Sequence, residues 1–325
     1  MGKRAFVWFA VIAMLAVGVA ATPGVASDYP SKPVRVIVPY PAGSGTDIVG
    51  RLIAQKLSER LGQPFFVDNK PGAAGTIGTG QVAKADPDGY TLLVADVGPL
   101  AIAPTFFGKI PYDPTKELAP IGQIANLPFI LVVHPSLPVH TVPELIALAK
   151  SKPGKINYAT PGNGTAAHLA TEFFKQVAGV DMVQVPYRGS APALTDLIAG
   201  VTSLMFVNVL SVQSFLEAGQ LRALAIGGSR RSPAVPNVPT VAEYNMNFSA
   251  GVWFGLLAPA GTPPSIIKKL NSELNAVLAM DDVTKPLAQQ GTEVVSGTPE
   301  EFSALIRSEI GKWANVIHTA GIRAQ

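Results

Sequence analysis

Residues 38–51 read VPYPAGSGTDIVGR, and they join a predicted strand to a predicted helix through very small side chains. The run Val34–Val38 is typical of a buried strand, and apolar residues recur at helical spacing over 47–61. Glycine between the two elements permits positive φ and lets a ligand approach the backbone closely. The following helix starts with amide groups that lack intrahelical partners, at the positive end of its dipole. This first corner therefore predicts an anion-binding site.

A second corner of the same design occurs near the middle of the chain. Residues 156–177, INYATPGNGTAAHLATEFFKQV, repeat the order of strand, proline, Gly-x-Gly-Thr and helix. In this repeat, the first corner's Gly43, Ser44, Gly45 and Thr46 correspond to Gly162, Asn163, Gly164 and Thr165. Asp47 and Thr165 are also suited to start their helices. A third corner, VPYRGSAPALTDL, adds Ser190 with Arg188 close by.

Short β-branched runs alternate with helical stretches along the rest of the chain. The predicted strands are 34–38, 65–67, 91–95, 156–159, 182–185 and 221–226, and the predicted helices are 47–61, 76–85, 142–150, 165–178, 191–199, 209–216, 265–280 and 299–320. Thr298 with Glu301 predicts a capping box for the last helix. Such alternation indicates an α/β fold with parallel-rich sheets and helices on both faces.

Two long apolar runs, 119–133 and 251–257, have no helix close by and suit segments that cross between two lobes. A chain of about 300 residues also exceeds what one hydrophobic core usually holds. We therefore predict a discontinuous first lobe, 28–127 with 229–325, and a second lobe over 128–228.

The first 27 residues have the order of a secretory signal peptide. Lys3 and Arg4 precede an apolar run over 5–21, and small residues follow Pro23. We expect cleavage near residue 26 or 27 and a periplasmic protein. The alternative is a single membrane anchor, but the apolar run is short for a span. The absence of cysteine excludes disulfides and a lipid on cysteine.

The charge balance excludes one class of partner. The 25 Lys and Arg residues fall to 23 without Lys3 and Arg4, against 22 acids, which leaves a net charge of +1. A nearly neutral protein lacks the electrostatic attraction that drives nucleic-acid binding. We expect no nucleic-acid partner.

Sequence motifs for catalysis are weak. Residues 162–167 satisfy the dinucleotide pattern G-x-G-x-x-A, but no acid ends the following strand, as a Rossmann site requires. No G-x-S-x-G, H-E-x-x-H or P-loop occurs. We expect no cofactor and no metal, and we favour binding without catalysis. A Ser-His-acid set assembled in space stays open, so an exported hydrolase of a small carboxylate-containing substrate is the alternative.

Several long motifs resemble one family. They are YPSKPVRVIVPYPAGSGTDIVGRLIAQKLSERLGQPFFVDNKPGAAGTIGTGQVAKADPDGYTLL, GNGTAAHLATEFFK, VPYRGSAPALTDLIAG, LRALA and FGLLAPAGTP. They are similar to the Bug or TctC type of extracytoplasmic solute receptor, which serves tripartite tricarboxylate transporters. The resemblance implies a two-lobed, hinge-closing fold of the type II periplasmic binding protein kind. It also implies a small organic acid as ligand and integral membrane transporter subunits as partners. We expect a monomer.

The resemblance also implies the ligand-binding residues, drawn from both corners and the strand ends beside them. They are Tyr40, Ala42, Gly43, Ser44, Gly45, Thr46, Asp47, Asp96, Thr160, Gly162, Asn163, Gly164, Thr165, His168, Arg188, Gly189, Ser190 and Asn208. Tyr40 either packs on the ligand's carbon skeleton or plugs against the helix. His168 either joins the site or points to solvent. The stretch NKPGAAGTIG, 69–78, is interpreted as a structural turn.

Three positions depart from the family pattern. Ser44 stands where consecutive glycines are usual, Asp96 follows the third strand where Thr, Ser and Gly are common, and Val207 replaces an acid before Asn208. An acid beside an anion site lowers affinity for a simple dicarboxylate unless it meets an ammonium or hydroxyl group.

Overall fold

The computed structural model describes residues 29–289 and 291–324, so the predicted signal peptide lies outside the described residues. The strands are β1 Val34–Val38, β2 Phe65–Asn69, β3 Thr91–Asp96, β4 Leu118–Val133, β5 Asn157–Thr160, β6 Val183–Pro186, β7 Leu204–Asn208, β8 Arg222–Ile226, β9 Gly251–Pro259 and β10 Glu293–Val294. The helices are α1 Gly45–Leu61, α2 Thr76–Ala83, α3 Ala103–Phe106, α4 Val142–Ser151, α5 Ala166–Ala178, α6 Ser190–Ile198, α7 Gln213–Glu217, α8 Pro264–Leu278, α9 Asp281–Gln289 and α10 Pro299–Thr319.

The strands form two sheets that share β4. The first sheet has the order β2-β1-β3-β9-β4, with β10 also paired to β4. The second has the order β4-β7-β5-β6, with β8 on the other edge of β4. Pairs β1–β2, β1–β3, β5–β6 and β5–β7 are parallel, whereas the pairs around β4 and β9 are antiparallel. The α/β fold class is confirmed, and its parallel pairs are the outer ones.

The 16-residue strand β4 is the direct link between the sheets. Its residues up to Pro128 pair with β9, and from Phe129 onward they pair with β7. The predicted extended runs 119–133 and 251–257 correspond to β4 and β9. The partner of β4 thus changes at Pro128, where we placed a lobe boundary; the boundaries themselves stay a prediction.

Helix α10 closes the fold over β4. Thr298 Oγ1 accepts the Glu301 N–H at 3.2 Å, and Glu301 Oε2 accepts the Thr298 N–H at 2.8 Å, so the predicted capping box is present. Trp313 and Phe302 on this helix are buried in a core that continues into α5 and the second sheet. Because α10 also packs against α3, it fixes the segment that follows β3.

Some elements differ from the sequence-based expectation. A wide π-type turn, Gly98–Ile102, leads into α3, and neither was predicted. The predicted helix 209–216 is instead a tight turn, Val209–Ser211, followed by α7. Val212 between them has φ −125°, which is outside the helical region, so the backbone cannot continue one helix through it. Strand β7 and helix α9 were also not predicted. In the described part of the chain, no helix is long and apolar enough to span a membrane.

Candidate functional site

A cavity of about 310 Å³ lies between the end of the first sheet's strands and the second corner. It is lined by Tyr40, Ala74, Asp96, Val97, Gly98, Ile102, Ala103, Phe106, Phe107, Asn163, Gly164, Thr165, Ala166 and Val252. Five of the predicted site residues meet here: Tyr40, Asp96, Asn163, Gly164 and Thr165. Their contact with a ligand stays a prediction. The size suits a small metabolite.

The first corner is held by its own side chains. Ser44 is the N-cap of α1, and its Oγ accepts the Asp47 N–H at 3.2 Å. Asp47 is therefore the third residue of the helix, not its cap, and its Oδ2 accepts the Gly43 N–H at 2.8 Å. Burial works to raise the pKa of Asp47, but bonds from Arg51, Gly43 and Asn69 outweigh it and lower the pKa. Asp47 is thus a charged brace inside the corner.

Asp96 ties the first corner to the end of β3. Its Oδ1 accepts the Tyr40 hydroxyl and the Gly98 N–H, each at 2.9 Å, and its Oδ2 accepts the Thr46 hydroxyl at 2.9 Å. Burial raises the pKa of Asp96, and these three bonds offset only part of that effect. Tyr40 therefore lines the cavity with its hydroxyl already committed to Asp96.

The second corner is braced by a buried histidine. Thr165 is the N-cap of α5, and its Oγ1 accepts the His168 N–H at 3.3 Å. His168 is only 4% exposed, and its Nδ1 accepts the Gly164 N–H at 3.1 Å. The interpretation that His168 points to solvent is therefore wrong. Burial lowers its pKa, which favours the neutral ring that this bond requires.

Ala166 and Ala167, the first two residues of α5, have no hydrogen-bond partner for their N–H groups among the described residues. Ala166 also lines the cavity. The matching amides of α1, Gly45 and Thr46, have no partner there either, but neither residue lines the cavity.

The other predicted residues lie around the cavity rather than on its wall. Ala42, Gly43, Arg188 and Ser190 are exposed and Ser44 is half-buried, whereas Thr160 is fully buried and accepts the Gln184 side-chain amide at 2.8 Å. The Gly189 N–H donates to the Pro161 carbonyl at 3.0 Å, so the third corner supports the second. Gly162 accepts the Thr165 hydroxyl at 2.8 Å. Asn208 ends β7, and its buried side-chain oxygen has no partner in the described part of the chain.

Sequence reasoning missed the apolar wall. Phe106 and Phe107 stack edge to face, with ring centroids 5.0 Å apart, at the end of α3. A Cβ on Gly164, which has φ +71°, would lie 2.7 Å from Cε1 of Phe106. Phe106 thus packs directly on the second corner. The stretch interpreted as a structural turn also reaches the wall, through Ala74, whose φ is +52°.

Comparison with known proteins decides the family. The family model described as tripartite tricarboxylate transporter family receptor, TctC, matches residues 49–322. The chain belongs to the TctC family. The family prediction is therefore confirmed.

The chain is similar over most of its length to several known proteins. Protein BugT of Bordetella pertussis is 40% identical over 305 residues, covering 93% of this chain and 94% of BugT. The structure of R. palustris Rpa4515 with adipate is 38% identical at a TM-score of 0.76, covering 91% of this chain and 99% of that one. MatC (Rpa3494) from Rhodopseudomonas palustris with bound malate is 33% identical at a TM-score of 0.72, covering 89% and 100%.

Membership in this family gives the general role of the chain. TctC proteins are periplasmic solute-binding receptors with a two-lobed fold. Among the described residues, no group of three or more His, Asp or Glu side chains could hold a metal ion.

Proposed function

We propose that this TctC receptor captures a small organic acid between its lobes and delivers it to the integral membrane subunits of a tripartite tricarboxylate transporter. The observation that carries the proposal is the cavity of about 310 Å³ with Ala166 on its wall, a residue whose N–H has no partner among the described residues. The adipate and malate bound to the two similar structures support a carboxylate ligand.

The chemistry of the second corner favours an anion. The start of α5 has no acid in its first turn, so its dipole is not neutralised there. The dipole contributes about 0.3–1 kcal/mol to a carboxylate, and each hydrogen bond to a charged group about 1.5–3 kcal/mol. A carboxylate on the Ala166 and Ala167 amides would be held without any cationic side chain.

The wall residues come from both proposed lobes, which predicts closure of the lobes on a ligand. Asp96 and Phe106 belong to the proposed first lobe, and Asn163 and Thr165 to the second. A ligand that contacts both sets binds the closed arrangement better, so it shifts the population toward closure. Strand β4 pairs in both sheets, and we propose that the hinge lies there. The closed form would present the surface that the membrane subunits recognise.

Specific contacts weigh against the alternative of an exported hydrolase. Among the described residues, the only His–Ser pair joined by a hydrogen bond is His134 and Ser136, with Nδ1 and Oγ 2.7 Å apart. Both residues are outside the cavity wall. His168 lies beneath the corner with Nδ1 occupied by the Gly164 N–H, so that nitrogen cannot act as a base toward a serine.

Substitution of Ala166 by proline tests the carboxylate site. Proline is tolerated at the first position of a helix, and Thr165 before it has the extended geometry that a following proline permits, at φ −70° and ψ 154°. Ala166→Pro removes one N–H, whereas Ala166→Ser keeps it as a control. We expect the acids that bind the natural protein to bind Ala166→Pro about 10- to 150-fold more weakly.

The measurement is thermal-shift screening against a library of carboxylic acids, followed by calorimetry on the hits. The ligand should be recovered unchanged after incubation. Turnover of a hit would favour the hydrolase, and a library without hits would refute the proposed receptor function. Equal affinities of Ala166→Pro and Ala166→Ser would remove the α5 amide from the site.

A further inference from the structure

The cavity wall contains one acidic side chain and no basic one. None of its 14 lining residues is Lys, Arg or His, and Asp96 is the one acid among them. The polar side chains from the first-sheet side are Tyr40 and Asp96, and the Tyr40 hydroxyl donates to Asp96. This side therefore offers a ligand no free side-chain donor, only a carboxylate.

Asp96 has room for one more hydrogen bond. A carboxylate offers about four lone-pair sites, and Tyr40, Gly98 and Thr46 occupy three of them. Two of these donors share Oδ1, so the open site is on Oδ2. A donor group of a ligand can be accepted there, whereas a second carboxylate would face a like charge without a cation between them.

The opposite wall has the reverse character. The Ala166 N–H lies at the start of α5, and the exposed side chain of Asn163 has no recorded partner in the described residues. Most of the other wall residues are apolar, and they include Ile102, Phe106 and Val252. The wall thus combines a donor group, apolar side chains and one acid.

We infer that this receptor selects monocarboxylic acids whose far end is uncharged or donates a hydrogen bond, and that Asp96 rejects a second carboxylate. The inference rests on the proposed function and specifies its substrate class. The carboxylate lies on the α5 amides, the carbon chain lies against the apolar wall residues, and a terminal hydroxyl or ammonium group donates to Asp96 Oδ2.

Matched ligands test this polarity directly. One set is hexanoate, 6-hydroxyhexanoate, 6-aminohexanoate and adipate, which share a six-carbon chain and differ in the terminal group. A second set is butyrate, 4-hydroxybutyrate, 4-aminobutyrate and succinate. In calorimetry with the natural protein, we expect the diacid of the better-bound set to be weaker than its monoacid by at least about tenfold. The hydroxy and amino acids should bind at least as tightly as the monoacid.

Asp96→Asn shows whether Asp96 is the cause of the weaker diacid binding. Asparagine keeps a similar shape and an oxygen that can accept from Tyr40 and Gly98, but it removes the charge. In this variant, the affinity for the diacid should rise about tenfold relative to the affinity for the monoacid, and the amino acid should no longer bind more tightly than the monoacid. Asp86→Asn, which changes an exposed acid outside the wall, is the matched control and should leave the ranking unchanged.

The outcomes separate this inference from the proposed function. A natural protein that binds adipate or succinate as tightly as the monoacids is still a carboxylate receptor, but the inference is then wrong. A ranking unchanged in Asp96→Asn would also overturn the role of Asp96. If none of the eight acids binds, and the wider library is also without hits, both proposals fail.

Discussion

The contact between Phe106 and Gly164 makes a prediction that can be worked from the geometry. In Gly164→Ala the new methyl group faces two costs. At φ +71° an alanine is in the left-handed region, which costs about 1–2 kcal/mol. The methyl group would also overlap the Phe106 ring, with Cε1 2.7 Å away, and such overpacking costs about 1–3 kcal/mol. We therefore expect unfolding free energy to fall by about 2–5 kcal/mol.

Phe106→Ala separates the two costs. In that background the overlap is gone, so Gly164→Ala should cost only the backbone strain of about 1–2 kcal/mol. The coupling between the two substitutions is then about 1–3 kcal/mol in a double-mutant cycle. The measurement is urea unfolding of the four proteins, followed by tryptophan fluorescence and by circular dichroism.

Gly179→Ala is the control for strain alone. Gly179 ends α5 at φ +62°, and a Cβ there would meet no atom within 4 Å. Its cost should be about 1–2 kcal/mol in both backgrounds. If Gly164→Ala costs the same with and without the Phe106 ring, the ring does not lie on the second corner, and the account of the cavity wall is refuted.

Two further predictions concern Phe106 on the wall and His168 beneath the second corner. In Phe106→Ala, we expect longer straight-chain monocarboxylates to bind best, because each methylene that fills the vacated space tightens binding about fourfold. Phe66→Ala removes an exposed ring outside the cavity and should leave the preferred chain length unchanged. An unchanged preferred length in Phe106→Ala would contradict this prediction. Burial lowers the pKa of His168 in the folded protein, so the unfolded chain binds more protons at this residue. The stability that depends on neutral His168 is therefore complete above about pH 6.5 and is lost as the pH falls below that value. His168→Asn, which keeps an acceptor for the Gly164 N–H, should flatten the fall of the urea midpoint between about pH 7 and 5, and an equally steep fall would argue against it.

Local patterns were sufficient for the parts of the fold that local physics controls. The strand-to-helix corners follow from glycine and helix-capping chemistry, which act over a few residues, and β4 was recognisable as a long apolar run without a helical period. The capping residue of α1 was assigned wrongly, because Ser44 and Asp47 are both suited to that place. The distinction depends on where the backbone turns helical, which spacing alone does not fix.

The apolar wall could not be predicted from the sequence, for a different reason. Residues 98–107 contain Pro99 and Pro104 and show neither a strand nor a helix period. Their shape, a π-type turn followed by a short helix, is set by packing against α10 and by the Gly98 N–H on Asp96. The packing against α10 joins distant parts of the chain, so the local sequence does not reveal it. A run of apolar residues after a strand end was the one local sign that this segment lines a site.

The two corners share a motif, but their third helical residues give them different electrostatics. In α1 this residue is Asp47, an ionised acid in the first turn that offsets the positive end of the helix dipole. In α5 it is the neutral His168, and no acid occurs in that first turn. Because Asp96 also faces the cavity from the first-sheet side, the electrostatic preference for an anion is concentrated at α5. A repeated Gly-x-Gly-Thr sequence therefore does not imply two equivalent anion sites, and a ligand with a single carboxylate matches the charge distribution better than one with two.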